Sequence, residues 1–391
     1  MDHEARRVIE ALRSGIPSRT IGTYFAGARA ELLTEISEWL DAKTGGGRIL
    51  TGSYGEGKTH LLSTVFSMAQ KKNMAVSTVS ISKETPLNNL YVLFHKIALN
   101  TYLPDREQPG FEHLIGQLSS ESMAELQLYA AKNLQTDKLY YLLKAYCNTD
   151  NPETRFSLMA DIQGDFIGNP QLKKLYKDIF SEKITFSANF AKSRHTWDYF
   201  MFLNRLFSIS GLQGWVLLFD ETELVGKFGR KTRFNAYTNM AKFLNNESGT
   251  PFSLLMMTSN YMKEVIEAKD EHGHLEENEE FDRELIESVL NRIESANELP
   301  PLDKIEFEKV ILQIIDFHAR AFDWDPQVDK DNLCEMAWSR GYYLRTKIRA
   351  AIEYLDQLLQ YGDAGDITAG ELEQETYQET YQEEIPLPDE L

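Results

Sequence analysis

One short stretch of the chain, ILTGSYGEGKTHLL at residues 49–62, constrains the fold more than any other part of the sequence. Its match to the pattern G-x-x-x-x-G-K-[ST] is complete, and the fixed positions are Gly52, Gly57, Lys58 and Thr59. The apolar residues before the pattern predict a strand, and the residues after it predict a helix. Glycines let such a loop turn its backbone N–H groups toward one point, where the helix N-terminus adds partial positive charge. The stretch therefore predicts an α/β fold with a phosphate-binding loop.

The side chains of this loop have distinct expected tasks. Lys58 is expected to reach the β- and γ-phosphates of a nucleotide, and the Thr59 hydroxyl is expected to bind Mg²⁺. The other residues expected to contact the nucleotide from the loop are Gly52, Tyr54, Gly55, Glu56, Gly57 and His60. ATP and Mg²⁺ are therefore the cofactors that the sequence predicts.

A second apolar stretch, WVLLFDE at residues 215–221, is typical of a buried strand, and it ends in two acids. A strand beside the phosphate loop would bring Asp220 to the metal. Glu221, one residue further on, could polarise the attacking water. The alternative is that the acidic pair only caps the helix that follows. Because a phosphate loop lies upstream, nucleotide hydrolysis is the favoured interpretation.

A third apolar strand, FSLLMMTSN at residues 252–260, also ends in polar residues. In ATPases with an added strand between the two motifs, a polar residue here orients the water near the γ-phosphate. Asn260 is the first candidate for this role and Thr258 is the second. The alternative is that these residues simply close a turn.

The charge distribution limits the kinds of partner. The 391 residues carry a formal net charge of −19, but ten acids and no Lys or Arg lie in residues 363–391, which leaves about −9 on the rest. A strongly basic nucleic-acid-binding surface is therefore not the default expectation. The two cysteines, Cys147 and Cys334, have no metal-binding spacing, which fits a reducing compartment. With no run of about 18 apolar residues, a cytoplasmic protein is expected.

The patterns also predict how the chain is organised. Apolar periodicity without an evident strand predicts a helical insertion at about residues 104–195, and three further helices follow the LPP boundary at residues 299–301. The expected division is N-terminal helices at 1–44, a nucleotide-binding core at 45–302, an all-α unit at 303–362 and an acidic, disordered tail at 363–391. The tail is interpreted as solubilising, with a docking peptide as the alternative.

The order of these parts resembles AAA+ ATPases across about residues 20–362. The resemblance implies a P-loop AAA+ (ASCE) fold, with a parallel sheet flanked by helices and a C-terminal helical lid. In that sheet, the phosphate-loop strand and the acidic-pair strand would flank the polar-ended strand.

The AAA+ resemblance implies two further catalytic residues. NRIESANELPPL looks like the segment with an arginine finger, so that Arg292 would stabilise γ-phosphate charge in a neighbouring subunit of an oligomer. LRTKIRAAIEYLD is similar to the lid helix with the sensor arginine, which matches Arg349, with Arg345 as the alternative. For each arginine, the other interpretation is a charge on a solvated helix face.

A narrower resemblance concerns the opening of the chain. RRVIEALRSGIPSR, FAGARAELL and GSYGEGKTHLL look like the beginning of the BrxD-type ATP-binding proteins of BREX phage-defence systems. It implies that the segment YFAGARAE, with Phe25, lies against adenine. It also implies a defence or DNA-associated ATPase that acts beside a helicase or methylation component, with double-stranded DNA as a further partner.

Other features offer rival interpretations. A nucleotide-gated adaptor would bind ATP, hydrolyse it slowly or not at all, and dock a partner; a small-molecule kinase would need no lid or finger arginine. His272 and His274 lie in a predicted charged loop at residues 267–284, where a metal site is disfavoured. The basic cluster KFGRKTR at residues 227–233 is interpreted as a solvated loop and helix start, with phosphate contact to nucleic acid as the alternative.

Overall fold

The computed structural model describes residues 2–14, 21–25, 29–42, 45–247 and 249–369. Within these ranges six strands form one sheet, and they are β1 Gly46–Thr51, β2 Ala75–Ser80, β3 Thr101–Tyr102, β4 Trp215–Asp220, β5 Phe252–Met257 and β6 Asn297–Glu298. Their spatial order is β3-β2-β4-β5-β1-β6. The polar-ended strand β5 therefore lies between the phosphate-loop strand β1 and the acidic-pair strand β4, which is the expected order.

Helices flank this sheet and extend it at both ends of the chain. They are α1 His3–Ser14, α2 Ile21–Tyr24, α3 Ala30–Leu40, α4 Lys58–Lys71, α5 Leu90–Leu99, α6 Glu112–Gln117, α7 Ser120–Lys132, α8 Lys138–Cys147, α9 Pro152–Ile162, α10 Asn169–Phe180, α11 Lys192–Ile209, α12 Arg230–Leu244, α13 Glu271–Glu276, α14 Arg283–Glu294, α15 Lys304–Phe322, α16 Lys330–Ser339 and α17 Leu344–Tyr361. A 3₁₀ helix spans Thr222–Lys227 and a π-helix spans Met262–Glu267. No helix in the described ranges has both the length and the apolar character to cross a membrane.

The sheet is mixed rather than parallel, which corrects the expectation at one edge. β3 pairs antiparallel with β2, with Val76 opposite Tyr102, whereas the other neighbouring strands are parallel. The reason is the short turn at Asn100, which returns the chain from α5 directly alongside β2. Antiparallel strands need no crossover, while a parallel strand at this edge would need one of a dozen residues or more.

The central strands explain why their sequences show no alternation. β5 is buried at every position, and β4 is buried from Trp215 to Phe219. Helices cover both faces of these strands, so each side chain meets an apolar neighbour whichever way it points. The polar residues that follow each strand therefore mark the point where the chain leaves the core.

Helices α6 to α10 occupy the stretch between β3 and α11, all of which the structure describes. They share the largest hydrophobic cluster with the sheet face that carries α5 and α11. A fully buried ion pair between Lys138 and Asp161, at 2.7 Å, joins α8 to α9 inside this cluster. The predicted helical insertion is thus packed on the core rather than standing apart from it.

The first helix and the last three helices form a second hydrophobic cluster. Ala5, Val8 and Ile9 of α1 are buried in this cluster together with residues of α15 and α17. Arg13 donates two hydrogen bonds to the Asp356 carboxylate on α17, at 3.0 and 2.7 Å. The N-terminal helix therefore packs with the C-terminal helices, although it lies more than 300 residues away in sequence.

In two regions that were predicted to be irregular, part of the chain is ordered in the structure. The charged loop expected at residues 267–284 contains α13, because the Asp270 side chain accepts a hydrogen bond from Gly273 N and Glu271 is buried against Arg233. The start of the expected tail folds back on α17, where the Glu353 carboxylate accepts hydrogen bonds from Thr368 N and Ala369 N. The rest of the tail, residues 370–391, lies outside the described residues.

Candidate nucleotide-binding site

The phosphate loop connects β1 to α4 with a tight backbone. Gly55 and Gly57 have φ angles of 77° and 90°, which other residues adopt at a cost. A Cβ on Gly55 would also stand 3.0 Å from the Cβ of Tyr343. α4 begins at Lys58, so the N–H groups of its first turn and the positive end of its dipole face the loop.

A cavity of about 560 Å³ opens at this loop, within the usual size range for small-molecule sites. Its polar end is lined by Lys58 and Thr59 and by the acids after β4. Its apolar end is lined by residues of α1, α15 and α17 together with Phe25. The predicted nucleotide-contacting residues that line the cavity are Phe25, Tyr54, Gly55, Gly57, Lys58, Thr59, His60, Asp220 and Glu221.

Lys58 is folded back over its own loop. Its Nζ donates to the carbonyl oxygens of Gly52 and Ser53, at 2.9 and 3.4 Å. It also lies 3.9 Å from Oε1 of Glu223. The cation thus already points to the centre of the loop, where a phosphate would replace these weaker partners.

The acidic pair at the end of β4 reaches the same end of the cavity. Asp220 is the last residue of β4, and its Oδ1 accepts a hydrogen bond from Glu221 N at 3.0 Å. Glu221 has a φ of 54°, an uncommon conformation for a residue other than glycine. Its carboxylate accepts a hydrogen bond from the hydroxyl of Ser80, the last residue of the neighbouring strand β2. The strand order therefore brings a serine to the expected catalytic acid.

Glu223 is a functional candidate that the sequence interpretation missed. It lines the cavity beside Lys58, and burial raises the pKa of its carboxyl to about 7, while the Lys58 charge acts in the opposite direction. The available signal was a third acid in FDETE, three residues after Asp220. The 3₁₀ helix turns that residue back under the strand end, which strand patterning alone does not show.

Arg29 is a second missed residue at the cavity wall. Its Nη2 donates to the Glu56 carbonyl at 2.7 Å and its Nε donates to the Pro300 carbonyl at 2.6 Å. Its backbone N–H donates to the Glu306 carboxylate at 2.7 Å. Arg29 therefore ties the segment after Phe25 both to the phosphate loop and to the start of α15. Residues 26–28 of the predicted adenine-contacting segment lie outside the described residues.

Of the two sensor candidates on α17, Arg345 lies at the cavity. Its Nη1 donates to the Tyr54 hydroxyl at 3.1 Å, and its backbone N–H donates to the Gly55 carbonyl at 3.2 Å. Arg349, one turn later, is not among the described residues that line the cavity. The first turn of α17 is thus the part of the C-terminal helices that contacts the phosphate loop.

The polar end of β5 contacts the loop through a residue between the two named candidates. Ser259 Oγ lies 3.2 Å from Ser53 Oγ, and Ser259 N donates to the Gly52 carbonyl at 3.4 Å. Thr258 is buried beside it. The backbone carbonyl of Asn260 accepts a hydrogen bond from Glu264 N. Asn260 is not among the described residues that line the cavity.

Arg292 lies away from this cavity, near the end of α14. Its Nη1 donates to the carbonyl of Leu244, the last residue of α12, at 2.8 Å. The side chain is largely exposed. Its position is that of a helix cap within this chain, and a role in a neighbouring subunit's site would require it to leave this carbonyl.

The donor set at the polar end fits Mg²⁺. Thr59 and Asp220 line the same part of the cavity and offer the hydroxyl and carboxylate oxygens that Mg²⁺ prefers. Among the described residues, no three His, Cys, Asp or Glu side chains gather as a complete metal site. Mg²⁺ commonly takes one or two protein ligands and completes its shell with phosphates and water.

The other candidate regions are accounted for by contacts within the chain. In the densest basic cluster, Arg233 is buried against Glu271, whereas Lys231 is exposed and pairs with Glu280 at 2.7 Å. His272 Nε2 lies 2.9 Å from a Glu294 carboxylate oxygen. These contacts lie within the chain, and phosphate contact to nucleic acid remains the alternative interpretation of the exposed basic residues.

Comparison with known protein families gives one finding of direct relevance. Residues 1–144 match the family described as BREX system ATP-binding protein BrxC/D. The match includes α1, the phosphate loop and α4, and it ends within α8, before the acidic pair. Comparison with curated proteins gives no match. Over residues 1–144 the chain therefore resembles the BREX ATP-binding proteins, as its opening indicated, and the family description implies ATP binding.

Proposed function

We propose that this chain binds ATP with Mg²⁺ and hydrolyses it, as an AAA+ ATPase of a BREX-type phage-defence system. The observation that carries the proposal is one cavity in which Lys58 of the phosphate loop, Asp220 and Glu221 after β4, and Arg345 of α17 meet. Phosphate binding, metal binding, water activation and charge stabilisation each need one such group. A glycine turn without a nucleotide-binding role would not be expected to bring these four groups together.

The roles follow from where each group lies. Thr59 and Asp220 would hold Mg²⁺, which neutralises charge on the phosphates. Lys58 would bind the terminal phosphates and Glu221 would take a proton from the attacking water. Of the predicted polar residues after β5, Asn260 and Thr258 remain candidates for orienting that water, and Ser259 joins them because it touches Ser53.

The helical group of α1, α15, α16 and α17 would act as the lid. The base would occupy the apolar end of the cavity, between Phe25 and the side chains of Leu12, Val310 and Ile348. We keep the proposed division into N-terminal helices at 1–44, a core at 45–302 and a lid at 303–362, with one change. Because α1 packs on α15 and α17, we include it in the lid body.

Two arginines would complete the site. Arg345 is the better placed sensor, because it lines the cavity, with Arg349 as its alternative one turn away. Arg292 would serve a neighbouring subunit as an arginine finger, which requires an oligomer. A helicase or methylation component and double-stranded DNA are the partners that fit a BREX role.

A nucleotide-gated adaptor is the second candidate, and one observation favours it. Ser80 holds the Glu221 carboxylate, and Glu223 lies beside Lys58, so neither essential group is free in this conformation. Such a protein would bind ATP with little turnover and would use the bound state to dock a partner. A stimulated ATPase differs from it in responding to the partner with turnover.

The deciding experiment measures ATP binding and ATP turnover separately for wild type, Glu221→Gln and Lys58→Ala, with and without double-stranded DNA. We expect Glu221→Gln to keep binding and lose turnover by about 100-fold or more. Lys58→Ala should lose binding. Mass in solution with ATP, in the same samples, tests the oligomer.

The outcomes separate the candidates. Binding without turnover by the wild type, even with DNA and partner present, supports the adaptor. Failure of the wild type to bind ATP rejects both. A protein that stays monomeric with ATP and DNA rejects the role of Arg292 in a neighbouring subunit.

A further inference from the structure

The carboxylate of Glu223 lies against the phosphate loop although no role requires it there. Its Oε1 is 3.9 Å from Lys58 Nζ, and the two side chains are only 12% and 10% exposed. Its second oxygen, Oε2, has no hydrogen-bond partner among the described residues. Burying a carboxylate oxygen without a partner is unfavourable. The Lys58 charge is therefore what keeps Glu223 in this position.

Glu223 in turn provides the negative charge that lies beside Lys58. The carbonyl oxygens of Gly52 and Ser53 accept its hydrogen bonds but carry no net charge. The other groups that face Glu223 are Asp220 and Glu221, which repel it, and the buried phenol of Tyr261. A nucleotide phosphate would bring a second, stronger anion to the same nitrogen.

We propose that Glu223 holds Lys58 in the nucleotide-free protein and is displaced from it when the terminal phosphate of ATP arrives. The inference rests on the function proposed above, since it concerns the same cavity. Two anions cannot share one cation in a half-buried site without strong repulsion. In wild type, ATP can bind only at the cost of breaking the Lys58–Glu223 contact, and this cost weakens ATP binding. Glu223 therefore acts as a positioning residue that sets how strongly ATP is preferred over ADP.

The test compares dissociation constants for Mg-ATP and Mg-ADP in wild type and in Glu223→Gln, measured by calorimetry at pH 8, where the carboxyl of Glu223 is charged. The amide keeps the shape of the carboxylate and removes its charge. We expect Glu223→Gln to bind ATP about fivefold more tightly or better, the lower end of usual coupling energies, with a smaller gain for ADP. Asp at this position withdraws the charge by one methylene, so Glu223→Asp should give an intermediate ATP-to-ADP ratio. Glu223→Asp also tests the inference if the Glu223→Gln variant does not fold.

The matched control is Glu56→Gln. Glu56 lies 3.9 Å from the Arg29 guanidinium, is also 12% exposed and is not among the described residues that line the cavity, so Glu56→Gln removes the same charge near the site without removing the partner of Lys58. Its effect on the ATP-to-ADP ratio measures general electrostatics, because its partner is not Lys58. The ratio must change more in Glu223→Gln than in Glu56→Gln.

Each outcome has a distinct meaning. Weaker ATP binding in Glu223→Gln overturns the inference, because it would make Glu223 a ligand of the metal or phosphate in the filled site. An unchanged ratio in both Glu223 variants, with normal ATP binding by wild type, overturns the inference and leaves the proposed function standing. No ATP binding by wild type overturns both.

Discussion

Ser80, the last residue of β2, donates its hydroxyl to a carboxylate oxygen of Glu221, the residue that follows β4. The two strands are parallel neighbours, with Ser80 opposite Asp220, so this contact follows from the register of the sheet. The hydrogen bond occupies one carboxylate oxygen and fixes the orientation of the side chain. Ser80 thus restrains the residue proposed to activate water.

Ser80→Ala is expected to release that restraint. Basal ATP turnover should rise roughly two- to fivefold, because the freed carboxylate can turn toward the water. The dissociation constant for ATP should stay the same, since Ser80 is not expected to hold the phosphates. Steady-state turnover and equilibrium binding of ATP measure the two effects.

The control for this prediction is Ser82→Ala. Ser82 lies two residues later and donates its hydroxyl to Glu84 at 2.9 Å, away from Glu221. It should leave turnover unchanged. If Ser80→Ala instead lowers turnover, then Ser80 positions Glu221 for the reaction rather than restraining it.

Replacement of the two candidate sensor arginines should distinguish them. Arg345→Ala is expected to weaken ATP binding or turnover by about tenfold, because a cation at the phosphate end of the cavity is lost. Arg349→Ala should change either quantity by less than about twofold, because Arg349 is not among the described residues that line the cavity. Both variants leave α17 intact, since alanine is a good helix former. A larger loss in Arg349→Ala would restore it as the sensor.

The phosphate loop and the strands β4 and β5 could be predicted from the sequence because each rests on a local pattern, whereas the order of the strands was implied by the resemblance to AAA+ ATPases. β4 and β5 appear as apolar runs, and the loop has fixed spacing. Arg345 and Ser259 could not be chosen over their neighbours by pattern alone. Their positions depend on the angle at which α17 meets the loop and on the register between β5 and β1. Such features are set by packing of distant elements, not by local preference.

The missed residue Glu223 illustrates the same limit. Its spacing from Asp220 suggests an exposed helix start, but the 3₁₀ turn after Glu221 directs it inward. The mixed edge of the sheet was missed for a similar reason, because the two-residue strand β3 is too short to leave a pattern.

Glu223 should also make stability depend on pH. Its pKa in the folded protein, about 7, lies above the ordinary value of 4.5 because the carboxyl is buried. The folded protein then holds this proton more tightly than the unfolded chain does. The resulting stability is complete below about pH 4.5 and is lost as the pH rises through about 7. Glu223→Gln removes this loss.

We therefore expect nucleotide-free Glu223→Gln to be more stable than wild type at pH 8, by on the order of 1–3 kcal/mol. Near pH 5 the difference should be much smaller, because this pH lies close to the ordinary pKa of 4.5, where the loss of stability only begins. Urea unfolding at both pH values measures the difference. An equal difference at pH 5 and pH 8 would show that proton binding by Glu223 is not its cause.

The helical insertion should depend on its buried ion pair. Lys138 Nζ and the Asp161 carboxylate are 2.7 Å apart and fully buried, and Asp161 also accepts hydrogen bonds from Tyr199 at 2.6 Å and Ile167 N at 2.7 Å. Lys138→Met keeps most of the side-chain volume and leaves the carboxylate without its cation. The free energy of unfolding should fall by about 3–5 kcal/mol, because an unpaired buried charge is strongly unfavourable.

An exposed pair of the same length provides the comparison for Lys138→Met. Lys231 and Glu280 are also 2.7 Å apart, but they are 59% and 58% exposed. Lys231→Ala should cost less than about 1 kcal/mol, because water and salt screen such a pair. Urea unfolding followed by circular dichroism measures both variants. Similar losses in the two variants would mean that burial does not set the strength of the Lys138–Asp161 pair.

Recovery of stability when Asp161 is replaced by Leu in the Lys138→Met background would identify the unpaired carboxylate as the source of the loss.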